Sequence, residues 1–151
     1  MEQIESFKVD HNKLYEGIYV SRRDGDVTTY DLRTRRPNMG DYMDNVTMHS
    51  VEHMLATFLR NSDKSENVIY FGPMGCRTGF YLLTRGLEND EVLSLLVDCL
   101  EKTIAHSGEV FGASARECGN YRELSLEKAK DECRRYLDIL NSKEQSFKYE
   151  E

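Results

Sequence analysis

Ile18-Tyr19-Val20-Ser21-Arg22 and Val27-Thr28-Thr29-Tyr30-Asp31-Leu32-Arg33, separated by a span that contains Asp24-Gly25, decide the fold class. Both stretches are rich in β-branched and aromatic residues and read as strands. Glycine supplies the positive φ of a tight turn, so the two strands form a hairpin and run antiparallel. The pattern returns at Asn67–Phe71 and Thr78–Thr84, with Gly72-Pro73-Met74-Gly75 as the corner. Helical periodicity fills the spaces between. One helix is predicted over Met48–Arg60, capped by Thr47. Asn89 caps a second, running to about His106, with Asp90 and Glu91 suiting its positive end and Gly108 stopping it. Ser125 starts a third, with Leu126, Ala129, Cys133, Tyr136, Leu137 and Leu140 on one side. Residues 108–124 read as a loop-rich connection, and Ser142–Glu151, polar and charged, as a frayed tail. The predicted class is α+β: an antiparallel sheet with helices packed on one face, a two-layer sandwich forming one domain over residues 1–151.

Composition narrows the function. The chain has 151 residues, 39% hydrophobic and 31% charged, which suits one soluble domain with a real core. A formal net charge of -7 argues against nucleic acid and against an anionic membrane surface. No apolar run approaches the roughly 20 residues that span a bilayer. The start, Met1-Glu2-Gln3-Ile4-Glu5, lacks the basic and apolar regions of a signal peptide, so a cytoplasmic location is expected. Cysteines stand at 76, 99, 118 and 133 with no C-x-x-C, and in a reducing compartment each is core filling, a ligand or a nucleophile.

The chemistry concentrates in His49-Ser50-Val51-Glu52-His53. Side chains four apart on a helix share a face, so the two imidazoles stand one above the other as two ligands to one metal ion. The order H-x-x-E-H occurs among metal-dependent catalytic motifs, with the carboxylate placed to act on whatever the metal holds. Met48, Val51, Leu55, Phe58 and Leu59 fall on the buried arc of this helix. His49, Glu52, His53, Ala56 and Arg60 fall on the neighbouring arc, where the guanidinium suits a substrate carboxylate. The competing reading, two histidines on a solvated face, is decided by a third ligand, since a catalytic metal takes about three protein ligands and keeps one position open.

Cys99 and Cys133 lie on apolar helix faces and read as small buried hydrophobes. Cys76 follows Gly75 at a strand corner, and Cys118 lies in Arg116-Glu117-Cys118-Gly119-Asn120; glycine-flanked loop cysteines are better candidates for chemistry. A His, His, Cys set suits zinc or ferrous iron. Spacing alone leaves open which of the two is the ligand and which a reactive thiol. An H-x-x-E-H peptidase would instead need a downstream glutamate, Glu123 or Glu127, as third ligand and leaves Cys76 without a task. A non-catalytic metal-binding module is the other alternative. His106 reads as a favourable charge at a helix end, and Met39, Met43 and Met48 as core or interface filler. Arg35 and Arg36 fit either a solvated face or a substrate-facing edge.

Glu5-Ser6-Phe7, Asp10-His11, Asp31-Leu32-Arg33, Pro37-Asn38, His49-x-x-Glu52-His53, Pro73-Met74-Gly75-Cys76-Arg77-Thr78-Gly79-Phe80-Tyr81 and Cys118-Gly119 follow one another along nearly the whole chain. In this order they resemble the S-ribosylhomocysteine lyase (LuxS) family, and the long block around Cys76 is the most specific part of the likeness. The resemblance implies a homodimer with active sites at the subunit interface. It implies ferrous iron, replaceable by zinc or cobalt, on His49, His53 and Cys118. Cys76 and Glu52 match the family's proton-transfer groups, and Ser6, His11, Arg33 and Arg60 its substrate contacts. The implied reaction cleaves the thioether of S-ribosylhomocysteine, giving homocysteine and the precursor of autoinducer-2. One departure stands out: Tyr70 occupies a position where many members carry an aspartate that holds the amino-acid end of the substrate. Either another group meets the substrate ammonium, or a cation–π contact from Tyr70 or Phe71 does so.

Overall fold

Four strands form one antiparallel sheet: β1 (Gly17–Asp24), β2 (Val27–Arg33), β3 (Val68–Pro73) and β4 (Gly79–Arg85), in the order β1-β2-β4-β3. The computed structural model describes residues 1–150; Glu151, the last residue of the expected frayed tail, lies outside them. The first hairpin closes as the sequence predicts, with Asp24 opposite Val27 and Gly25 at φ 61°. Gly25 therefore holds a backbone that a side chain would resist. The second corner differs from the prediction. β3 continues through Gly72 and Pro73, and the turn is made by residues 74–78. Arg77, at φ 62°, takes the left-handed conformation. Its amide donates to Met74 O at 3.0 Å, and its carbonyl accepts from Met43 N at 3.1 Å, so neighbouring backbone holds it there. The exposed Tyr70 side chain folds over Gly72: a Cβ there would lie 2.5 Å from Tyr70 Cζ, so a side chain at this position would displace the ring.

α2 (Asn45–Arg60), α3 (Asn89–Ala105) and α4 (Leu126–Ser142) pack on one face of this sheet. Their buried residues join Ile18, Tyr30, Leu32, Phe80 and Leu82 in one core. In β2 and β4 these residues stand two apart, Tyr30 with Leu32 and Phe80 with Leu82, so they share the covered face of the sheet. On α2, Val51, Leu55 and Leu59 are buried, Met48 and Phe58 are half-buried, and Met54 joins them at 0% exposure. The helix begins earlier than predicted. Asp44, not Thr47, is the N-cap, its carboxylate accepting from Thr47 N at 2.7 Å. α3 is likewise capped one residue before Asn89, by Glu88 in a reciprocal box with Glu91. Ser125 caps α4 as predicted.

The opposite face carries the short helix α1 (Glu5–Lys8), whose Ser6 shares a cavity with Ser21, Tyr70, Tyr81 and Leu83. The tail is ordered along β1, contrary to the frayed reading. Gln145 Oε1 accepts from Ile18 N at 3.2 Å, Phe147 O accepts from Val20 N at 2.9 Å, and Phe147 is buried. Tyr149 stacks on Tyr19 with ring centroids 4.9 Å apart. Polar spacing hid these anchors, which together cover an otherwise open strand edge.

Candidate metal centre and reactive thiol

α2 sets His49 and His53 on one face, with ring centroids 4.5 Å apart. The 106–124 connection folds over them and delivers Cys118. Its sulfur lies 3.4 Å from His49 Nε2, and one ligand atom from each of the three residues lies within 4.8 Å of the others. Among the described residues this is the cluster of His, Cys and carboxylate groups that can hold a metal ion. Both rings are oriented through their other nitrogen: His53 Nδ1 meets Phe111 O at 2.7 Å, and His49 Nδ1 meets Glu123 O at 3.1 Å. Such backbone acceptors fix the tautomer with Nδ1 protonated and Nε2 free to ligate. Gly112, at φ 72°, makes this possible, since a Cβ there would sit 3.1 Å from His53 Nδ1. The donor set, two oriented imidazoles and a thiol, fits zinc or ferrous iron. Glu123, the peptidase candidate, contributes its carbonyl to His49 and is outside the cluster, as is Glu127. His106 is also elsewhere, capping α3 and packing against Phe58 and Phe111.

Glu52 stands between the two histidines, half-buried, and its carboxylate has no hydrogen bond or ion pair among the described residues. Arg60, one turn beyond Ala56, donates to Val68 O and Ile69 O, both at 2.6 Å, and so ties the end of α2 to β3.

Cys76 lies on the other side of the sheet. Its thiol opens on a cavity of about 320 Å³ lined by Ser6, Phe7, His11, Arg33, Pro73, Met74 and Tyr81. Three of the four predicted substrate residues thus share a cavity with Cys76; Arg60 does not line it, and neither do His49, Glu52, His53 or Cys118. Arg33 is 3% exposed, so the cavity reaches only its edge. Its Nε and Nη2 donate to the two oxygens of Asp31 at 3.0 and 2.7 Å, and Nη1 donates to Thr78 Oγ1 at 2.8 Å. Burial opposes the guanidinium charge, but Asp31 more than offsets it and holds Arg33 above its ordinary value. Asp31, Thr78 and Tyr81 stand in the family motifs without an assigned role, and Tyr149 falls in the tail expected to fray. The signal for Asp31 was present: residues two apart on a strand face the same side.

These two constellations and their order match the profile of the S-ribosylhomocysteinase (LuxS) family over residues 4–147. The chain belongs to that family. Family relatives extend the match end to end. An S-ribosylhomocysteine lyase of Finegoldia magna is 46% identical over 147 residues, covering 94% of each chain. Those of Borreliella afzelii and Clostridium beijerinckii are 45% and 43% identical, each covering 99% of both chains.

Proposed function

We propose that the chain is an S-ribosylhomocysteine lyase, a carbon–sulfur lyase that cleaves S-ribosylhomocysteine to homocysteine and 4,5-dihydroxy-2,3-pentanedione, the precursor of autoinducer-2. The observation that carries this reading is the convergence of His49, His53 and Cys118 in a chain that matches the lyase family nearly end to end. Among the described residues no helix is long and apolar enough to cross a membrane. Four free cysteines suit a reducing cytoplasm, where the reaction would serve homocysteine recycling and quorum signalling.

Thiolate is expelled readily only when the C–S bond is β to a carbonyl, so the carbonyl must first move along the sugar by successive enolisations. His49, His53 and Cys118 would hold ferrous iron, with zinc or cobalt as substitutes, and a bound divalent ion supplies Lewis-acid polarisation of the sugar oxygens. Cys76 and Glu52 move the protons: one takes a proton from the carbon beside the carbonyl, and the other returns one to its neighbour. Among the described residues the Glu52 carboxylate has no partner, which leaves both oxygens available to take up or return a proton. Ser6, His11 and Arg33 bind the sugar beside Cys76, and Arg60 serves the site by tying the end of the ligand-bearing helix to β3. The ammonium end meets an aromatic ring, Tyr70, in place of a carboxylate.

Cys76 and the triad belong together only if a second copy supplies one of them. We therefore place the active sites across a homodimer interface. Exposed apolar side chains on the α1 side of the sheet support this face as the contact: Ile4 at 60%, Phe7 at 67% and Tyr70 at 54% exposure. Incubation with S-ribosylhomocysteine should release titratable homocysteine thiol, and stripping with chelator should abolish the release until metal is restored. No thiol released by metal-loaded protein would overturn the assignment.

A further inference from the structure

A hydrogen-bond chain runs through the sheet face behind Cys76, and its polarity can be read. The Cys76 sulfur lies 3.0 Å from Thr78 Oγ1. Geometry alone permits either group to donate. The neighbours decide. Thr78 is 1% exposed, and its oxygen already accepts from Arg33 Nη1 at 2.8 Å. Guanidinium can only donate, so that direction is fixed. The Thr78 hydroxyl hydrogen then has one acceptor in reach among the described residues, the Cys76 sulfur. If the thiol donated instead, a buried hydroxyl hydrogen would be left without a partner, which is costly.

The chain extends in the other direction to the tail. Arg33 is held in its fork by Asp31, whose side chain is 2% exposed, and Asp31 Oδ2 accepts a further hydrogen bond from Tyr149 Oη at 2.7 Å. Burial, and the facing Asp31 carboxylate, push the Tyr149 phenol well above its ordinary value, so it remains a donor. Every bond thus has one sense: Tyr149 and Arg33 donate to Asp31, Arg33 Nη1 donates to Thr78 and, at 3.9 Å, to the Cys76 sulfur, and Thr78 donates to the same sulfur at 3.0 Å.

We propose that Thr78 is a positioning residue that donates to the Cys76 sulfur, and that Tyr149 supports it from the C-terminal tail by fixing the Asp31–Arg33 pair. The sulfur is thereby held as an acceptor, the polarity that a thiolate requires and that a base in proton transfer uses. This rests on the reading of Cys76 as a proton carrier. It assigns work to a tail whose composition suggests none.

The test is the rate of iodoacetamide alkylation at Cys76, read by peptide mass spectrometry on metal-loaded protein, beside turnover of S-ribosylhomocysteine. Thr78→Val should slow alkylation of Cys76 by about 10-fold or more, the scale of one hydrogen bond to a charged acceptor. Thr78→Ser, which keeps the hydroxyl, should restore most of the rate. Tyr149→Phe, which removes only a phenol oxygen, should slow alkylation by a smaller factor and lower kcat with little change in KM. A merely structural role would lower the melting temperature and leave alkylation well below it unchanged; alkylation at the wild-type rate in folded Thr78→Val, or in Tyr149→Phe should the first not fold, overturns the proposal. Slower alkylation with undiminished turnover would uphold the hydrogen-bond assignment and refute the proton-carrier role instead.

Discussion

Gly112→Ala separates metal binding from stability, and its size follows from the backbone. Gly112 sits at φ 72° and Gly25 at φ 61°, so an alanine at either costs about 1–2 kcal/mol of folding stability through left-handed strain. The surroundings differ. Nothing lies within 4 Å of a Cβ at Gly25, whereas a Cβ at Gly112 meets His53 Nδ1 at 3.1 Å and Cε1 at 3.4 Å. The ring must yield by a few tenths of an ångström, and its 2.7 Å bond to Phe111 O is the interaction in the way. Loss of such an outer partner costs about 10- to 100-fold in metal affinity. Cobalt(II) titration, followed through thiolate-to-cobalt absorption under chelator competition, measures the affinity, and urea unfolding measures stability. Gly25→Ala should show the stability loss alone; Gly112→Ala should show both. Wild-type cobalt affinity in Gly112→Ala, with a stability loss equal to that of Gly25→Ala, would refute the role given to the Phe111–His53 bond.

Glu52→Gln should keep its metal by elemental analysis and slow turnover by about 100-fold or more, the usual scale of lost acid–base catalysis; a near-normal rate removes Glu52 from the mechanism. Asp44→Ala should cost about 1 kcal/mol at neutral pH, as expected for a lost helix cap. The Lys128 ammonium and the Thr47 amide hold the Asp44 carboxylate down at about 2 against an ordinary 3.8. A lowered carboxylate stabilises above its ordinary value, so the gap between wild type and Asp44→Ala should close as pH falls from about 4 toward 2; a gap that persists at pH 2 contradicts this. Burial pushes the Cys99 and Cys133 thiols up to about 12. A raised thiol stabilises below its ordinary value and loses that contribution as pH rises toward 12. Both should resist a disulfide reagent at pH 8 in the native state, while exposed Cys76 reacts; modification of either before unfolding would contradict their burial.

The core was legible because burial imposes a period. The 3.6-residue repeat in α2 names Val51, Leu55 and Leu59 without coordinates. The imidazole pair was legible for the same reason. What the periods do not carry is which backbone atoms meet the rings: Phe111 O and Glu123 O orient the histidines, and a carbonyl leaves no trace in residue type. Asp44 and Thr47 are both good cap residues three positions apart, and only the hydrogen bond between them shows where α2 starts. Tyr149 was lost because order in the tail depends on contacts over a hundred residues away, with Tyr19 and Asp31. The separation of Cys76 from the triad was equally hidden. A strand corner and a helix face can lie on the same or opposite sides of a sheet, and spacing along the chain does not distinguish them.

That separation makes mixed dimers the most direct test of the central claim. Cys76→Ala and Cys118→Ala proteins should each be inactive alone, the first retaining metal and the second losing it. In a two-fold dimer with shared sites, a mixed dimer has one site with both defects and one with neither. After dissociation and reassociation of equal amounts, S-ribosylhomocysteine cleavage should return to roughly one quarter of the wild-type specific activity, since half of the dimers are mixed and each carries one intact site. No recovery, in a mixture shown to contain mixed dimers, would mean that the thiol and the metal do not meet across the interface.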